Sequence, residues 1–209
     1  MPDKLDTLLA LLRWAHILAG IIWIGHLYFF NFVNGPFAKT MDADTKKKVV
    51  PELMPRALWW FRWGAMMTFG FGLLLFVMKY FYISGVGLGP NEYFLKGGHM
   101  TQRAMWILFG MLLGTVMWFN VWFVIWPRQR KLIGWLKAGE KNPAADALTR
   151  QAFVASRANT YLSGPMLFGM IAAANFPYMT PVTFGIGVAL GLGVMHLLIG
   201  QSGKVSTEV

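Results

Sequence analysis

Five stretches of this chain are long and apolar enough to cross a hydrocarbon core, which takes about 20 residues of helix, and this constrains the fold more than any other feature. The first runs from about residue 8 to 33 and contains LLRWAHILAGIIWIGHLYFFNFV. The second covers about 57–82, with Trp59, Trp60 and Trp63 at one end and Tyr80 and Tyr82 at the other, as aromatic belts require. The third covers about 101–126 and is closed by Pro127. The fourth (about 159–176) and fifth (about 182–200) are separated by NFPYMTP, whose two prolines stop a helix. The expected fold is all-α: one polytopic transmembrane helix bundle of about five spans over residues 1–209.

Lys and Arg set the expected orientation. Lys39, Lys46, Lys47, Lys48 and Arg56 lie between spans one and two. Arg128, Arg130, Lys131, Lys137, Lys141, Arg150 and Arg157 lie between spans three and four. The 83–100 loop has only Lys96, so the positive-inside rule places both basic loops in the cytoplasm and the N-terminus outside. The 128–157 loop is long enough for a short interfacial helix at RKLIGWLKAG. The first apolar stretch lacks a charged n-region and is too long for an h-region, so it reads as a retained helix rather than a signal peptide.

Composition narrows the function classes. Charged residues are only 13% of the chain, about half the share of a soluble domain. The net charge of +10 sits in the two basic loops without any aromatic–basic module, which points to anionic membrane lipid as partner and away from nucleic acid. No cysteine is present, which excludes disulfides, iron–sulfur clusters and a covalently attached c-type haem. A cofactor here must be held by His, Met, carboxylates or packing.

An ionisable residue at membrane depth is a functional candidate by default. The chain has four histidines, His16, His26, His99 and His196, which the topology sorts into an outer pair (His16 with His99) and an inner pair (His26 with His196). Facing imidazoles from two helices are the ligand set of a low-spin haem b, giving one or two haems with these histidines as metal ligands. Ten residues between His16 and His26 give about 15 Å of rise but set the rings roughly 80° apart around the helix. Each histidine can equally hydrogen-bond a neighbouring side chain or carbonyl, and a methionine can replace one as ligand. Arg13, Arg62 and Arg103 lie near interfaces and can bind a propionate or substrate carboxylate, or snorkel to headgroups. Arg13, one turn from His16, is the strongest of these as a cofactor-binding residue. Asn31 and Asn120 lie within apolar runs and need partners. Gly110 and Gly114 form a G-x-x-x-G, which favours helix–helix contact.

Three strings carry a family resemblance: LLRWAHILAGIIWIG, NVWFVIWPRQRKLI (120–133) and ASRANTYLSGPMLFGM (155–170). Through them the chain resembles the membrane part of the PuuD-type bacterial urate oxidases (urate hydroxylases), over most of 1–176. In length, and in PRALWWFRWGA, it resembles the shorter members without a cytochrome c domain. The matching residues are Arg13, Trp14, His16, Trp23 and Gly25; Asn120, Trp122, Pro127 and Gln129; and Ser156, Arg157, Asn159, Thr160 and Pro165. It departs at Asn175, where relatives often carry His, and at His26, where a non-coordinating residue is common. The resemblance implies a multi-pass protein of the bacterial inner (cytoplasmic) membrane. Together with the histidines it leads to an expected electron-transfer or oxidoreductase protein. Such a protein would pass electrons between a quinone or small substrate and a separate partner, a cytochrome or a larger membrane complex. Two alternatives stand beside it: urate oxidation with an external cytochrome, and a non-catalytic accessory subunit of a respiratory complex.

Overall fold

The computed structural model describes residues 3–176 and 178–205, which form five long helices and a loop of two small hairpins. We label the helices α1 (Lys4–Thr40), α2 (Ala43–Phe81), α3 (Gln102–Ala138), α4 (Ala145–Asn175) and α5 (Pro181–Ser202). The all-α bundle is as expected, and α1, α2, α3 and α5 are each long and apolar enough to span a membrane. The fourth expected span, α4, is less apolar for a structural reason. It is the central helix, packed against α1, α3 and α5, and it buries Asn159, Thr160 and Ser163. Polar groups are tolerated there because neighbouring helices, not lipid, surround them.

The helices run beyond the apolar stretches, which corrects the loop assignments. Pro127 does not end the third span. Residues Asn120–Ile125 form a π-helical turn, the Trp126 N–H reaches back to the Val121 carbonyl, and the α-helix resumes from Trp126 to Ala138. Wider turns release carbonyls, and a proline's missing N–H does no harm where no partner awaits it. The Arg128 guanidinium then donates to the Val124 carbonyl at 2.9 Å. The RKLIGWLKAG segment is thus the end of α3 rather than a separate interfacial helix, and it stops at Gly139, whose φ of +66° suits a left-handed cap. Likewise α2 starts at Ala43 and carries Pro51 and Pro55 inside it. Its N-cap is Asp42, whose carboxylate accepts the backbone N–H groups of Asp44 and Thr45 at 2.9 Å. The basic residues assigned to two loops therefore sit mostly on helix ends. Pro177, one of the two prolines of the expected α4–α5 turn, lies outside the described residues; Pro181 opens α5.

At the other end, residues 82–101 fold into two antiparallel two-stranded hairpins, β1 (Tyr82–Ile83) with β2 (Gly87–Leu88) and β3 (Leu95–Lys96) with β4 (His99–Met100). The β3–β4 turn needs positive φ at both Gly97 and Gly98. Asn91 ties this cap down by donating to the carbonyls of Lys79 and Tyr82.

Two hydrophobic clusters fill the bundle. One gathers Trp23, Leu27, Phe61, Met117, Val121 and Met166 from α1–α4. The other surrounds Trp106 with Ala172 and Ala173. Between the helices runs a line of buried hydrogen bonds. Asn120 donates to the Asn159 side-chain oxygen at 2.8 Å, and the Asn159 amide donates to the Met117 carbonyl at 2.9 Å. Asn31 donates to Ser156 at 2.9 Å, and the Tyr28 hydroxyl pairs with Ser163 at 3.0 Å. Asn159→Ala would leave the Asn120 amide and the Met117 carbonyl without each other's bridge in a dry interior. The expected cost is about 1–2 kcal/mol, read as a lowered midpoint of unfolding in detergent.

Candidate functional site

His16 lies about three turns into α1, half-buried against α2. Its Nδ1 is 2.9 Å from the Thr68 carbonyl oxygen. A carbonyl can only accept, so Nδ1 carries the proton and the neutral ring keeps its lone pair on Nε2. The ring lies against the backbone of Gly72, where a Cβ would stand 2.8 Å from Cε1. Glycine at 72 is therefore what lets the imidazole seat between the two helices. Ligating histidines have this arrangement: one nitrogen fixed by a carbonyl, the other free to bind a metal.

The other histidines do not join it. His26, also half-buried, donates from Nδ1 to the Ile22 carbonyl of its own helix at 2.7 Å, which likewise frees Nε2. It opens on a cleft of about 410 Å³ between α1 and α2, lined by Phe29, Leu53, Arg56, Ala57 and Trp60. His196 is exposed on α5, with Nδ1 3.0 Å from the Tyr161 hydroxyl and its ring stacked over that tyrosine. His99 is exposed in β4, opposite Lys96. His16 is held inside the α1–α2 seam while His99 is in the hairpin cap, and His26 faces α2 while His196 rests on α4. Among the described residues, no three His, Cys, Asp or Glu side chains converge on a metal-ion site.

Arg13 is exposed on α1, one turn before His16. Arg62 stacks on Trp126 with its guanidinium carbon 3.8 Å from the ring centroid, and Arg103 approaches Tyr93 at 5.9 Å. Gly110 allows the expected helix contact, since a Cβ there would lie 3.1 Å from the Met170 nitrogen; Gly114 faces nothing within 4 Å. Of the two residues that position His16, Gly72 is legible as a small residue in an apolar run that allows close approach, whereas Thr68 carries no signal in the sequence. Residues 16, 68 and 72 meet only when the antiparallel register of α1 and α2 is known.

A family model described as urate oxidase N-terminal matches residues 91–201, more than half of the 209 residues. The chain belongs to this family. The matched residues take in β3 and β4, α3, α4 and α5, and so include the buried Asn120–Asn159 pair and Ser156 as well as His99 and His196. The resemblance at 120–133 and 155–170 falls inside the matched region, and α5, where the strings gave little, falls inside it too. His16 and the α1 string lie outside it. No curated protein and no solved structure matched the chain. Family membership and the apolar helices make it a multi-pass membrane protein related to urate oxidation.

Proposed function

We propose that the chain is a membrane redox module of the urate oxidase N-terminal family that holds haem b through His16 and passes electrons between a quinone or small substrate and a separate partner. The observation that carries this reading is the His16 geometry. Its Nδ1 proton is committed to the Thr68 carbonyl, its Nε2 lone pair is free, and Gly72 makes the space for the ring. These residues fit a haem ligand. The haem, when bound, supplies a reversible one-electron iron couple. The protein's part is to fix the imidazole tautomer and raise its basicity through the carbonyl, and to keep the ring from rotating. Arg13, one turn away, offers a guanidinium fork to a carboxylate.

The test is a set of dithionite-reduced-minus-oxidised spectra on membranes containing the wild-type chain and single variants. His16→Ala should abolish the b-type difference signal. His99→Ala should leave it unchanged, because that residue lies in the hairpin cap outside the helices. An unchanged signal in His16→Ala would reject His16 as the ligand.

Family membership favours a second reading, urate oxidation with an external cytochrome as electron acceptor. Urate loss in the same membranes, with an added cytochrome, decides it: turnover that stops in His16→Ala supports this reading, and no turnover in the wild type rejects it.

A further inference from the structure

The α2–α3 seam at the basic end of the bundle contains donors without acceptors. The Arg62 Nε and the indole N–H groups of Trp118 and Trp122 are buried and have no hydrogen-bond partner. Arg62 and Trp122 are neighbours, with the guanidinium carbon 6.0 Å from the Trp122 ring centroid. The guanidinium carbon lies 3.8 Å from the Trp126 ring centroid, and Trp63 packs edge-on to Trp122. Arg62 has no carboxylate partner: the ion pairs among the described residues are Lys47–Asp44 and Arg56–Glu52. Buried N–H groups are costly unless paired, and a guanidinium more so. One cation and two indole donors on one seam thus lack an oxyanion.

The depth of the seam says which oxyanion. Trp59, Trp60 and Trp63 are exposed on the same part of α2, and tryptophan settles at headgroup level. Basic pockets between helices at that level bind acidic lipid headgroups. We infer that the Arg62–Trp122 seam is a binding site for the phosphate of an anionic phospholipid. One phosphate oxygen accepts from Arg62 Nε and Trp122 Nε1. The site is independent of the haem reading, since Arg62 faces α3 whereas His16 and Thr68 lie on the α1–α2 seam.

The experiment uses the full chain reconstituted in nanodiscs of mixed phosphatidylcholine and phosphatidylglycerol. Lipid retained per chain is counted by native mass spectrometry after transfer to detergent. The wild type should keep one phosphatidylglycerol in preference to phosphatidylcholine. Arg62→Ala should lose it by about tenfold, the value of one charge-assisted hydrogen bond. Trp122→Phe keeps an aromatic ring on the seam while removing the indole N–H, and guards against misfolding; it should lose a smaller but measurable part. Arg150→Ala, an exposed charge elsewhere, and His16→Ala should retain the lipid. Equal retention of both lipids by the wild type, or undiminished retention in Arg62→Ala and Trp122→Phe, would overturn the proposal. So would an equal loss in Arg150→Ala, which would mean charge in general. Loss in His16→Ala would assign the oxyanion to a haem propionate and overturn it as well.

Discussion

Replacing Gly164 with alanine is expected to separate α5 from α4 and to leave little folded protein in detergent. A Cβ at Gly164 would overlap the Gly191 carbonyl oxygen, and one at Gly191 would stand 2.5 Å from the Pro165 nitrogen. The two backbones cross at these glycines, as small residues permit in membrane helices. Backbone atoms held in helices cannot step aside, and Pro165 makes this stretch of α4 stiffer still. The cost should reach or exceed the roughly 1–3 kcal/mol typical of overpacking. Gly164→Leu should be worse. Chemical unfolding in mixed micelles checks it. By contrast Gly193→Ala, whose Cβ meets nothing within 4 Å, should behave as wild type.

Gly72→Ala is expected to do the opposite: preserve the fold and damage the site. The atoms a new Cβ would meet are the His16 Cε1 at 2.8 Å and Nδ1 at 3.0 Å, the tip of a side chain that can rotate. Rotation breaks the 2.9 Å hydrogen bond to the Thr68 carbonyl and frees the tautomer. Loss of such a supporting contact typically costs about 10–100-fold in metal affinity. Haem retention after purification should therefore fall by about that factor while the unfolding midpoint changes little. A variant that keeps its haem fully would mean that the ring's seat on α2 is not what holds the ligand.

These two glycines show how far the sequence is legible. Long apolar runs report helices, so the bundle could be read from hydropathy alone. The need of Asn31 and Asn120 for partners was visible too, because an amide inside an apolar run cannot stay unpaired. Which partners they take was not, since Ser156 and Asn159 reach them only through helix register. The places where reading by local rules failed are local too. Pro127 signals a stop, yet the π-turn before it absorbs the lost hydrogen bond, and Pro51 and Pro55 sit within α2. The hairpin cap of 82–101 rests on pairings of two residues each, too short for an alternating pattern to register. Depth alone suggested the pairing of histidines. Direction around the helix, which decides whether two rings face one another, depends on contacts such as Thr68 with His16 and Tyr161 with His196.

The most direct measurement is the absorption spectrum of the chain purified from membranes, combined with pyridine extraction to count haem against protein. A Soret band and about one haem b per folded chain are predicted, both lost in His16→Ala. A folded wild-type protein with no Soret band and no extractable haem would contradict the haem reading outright.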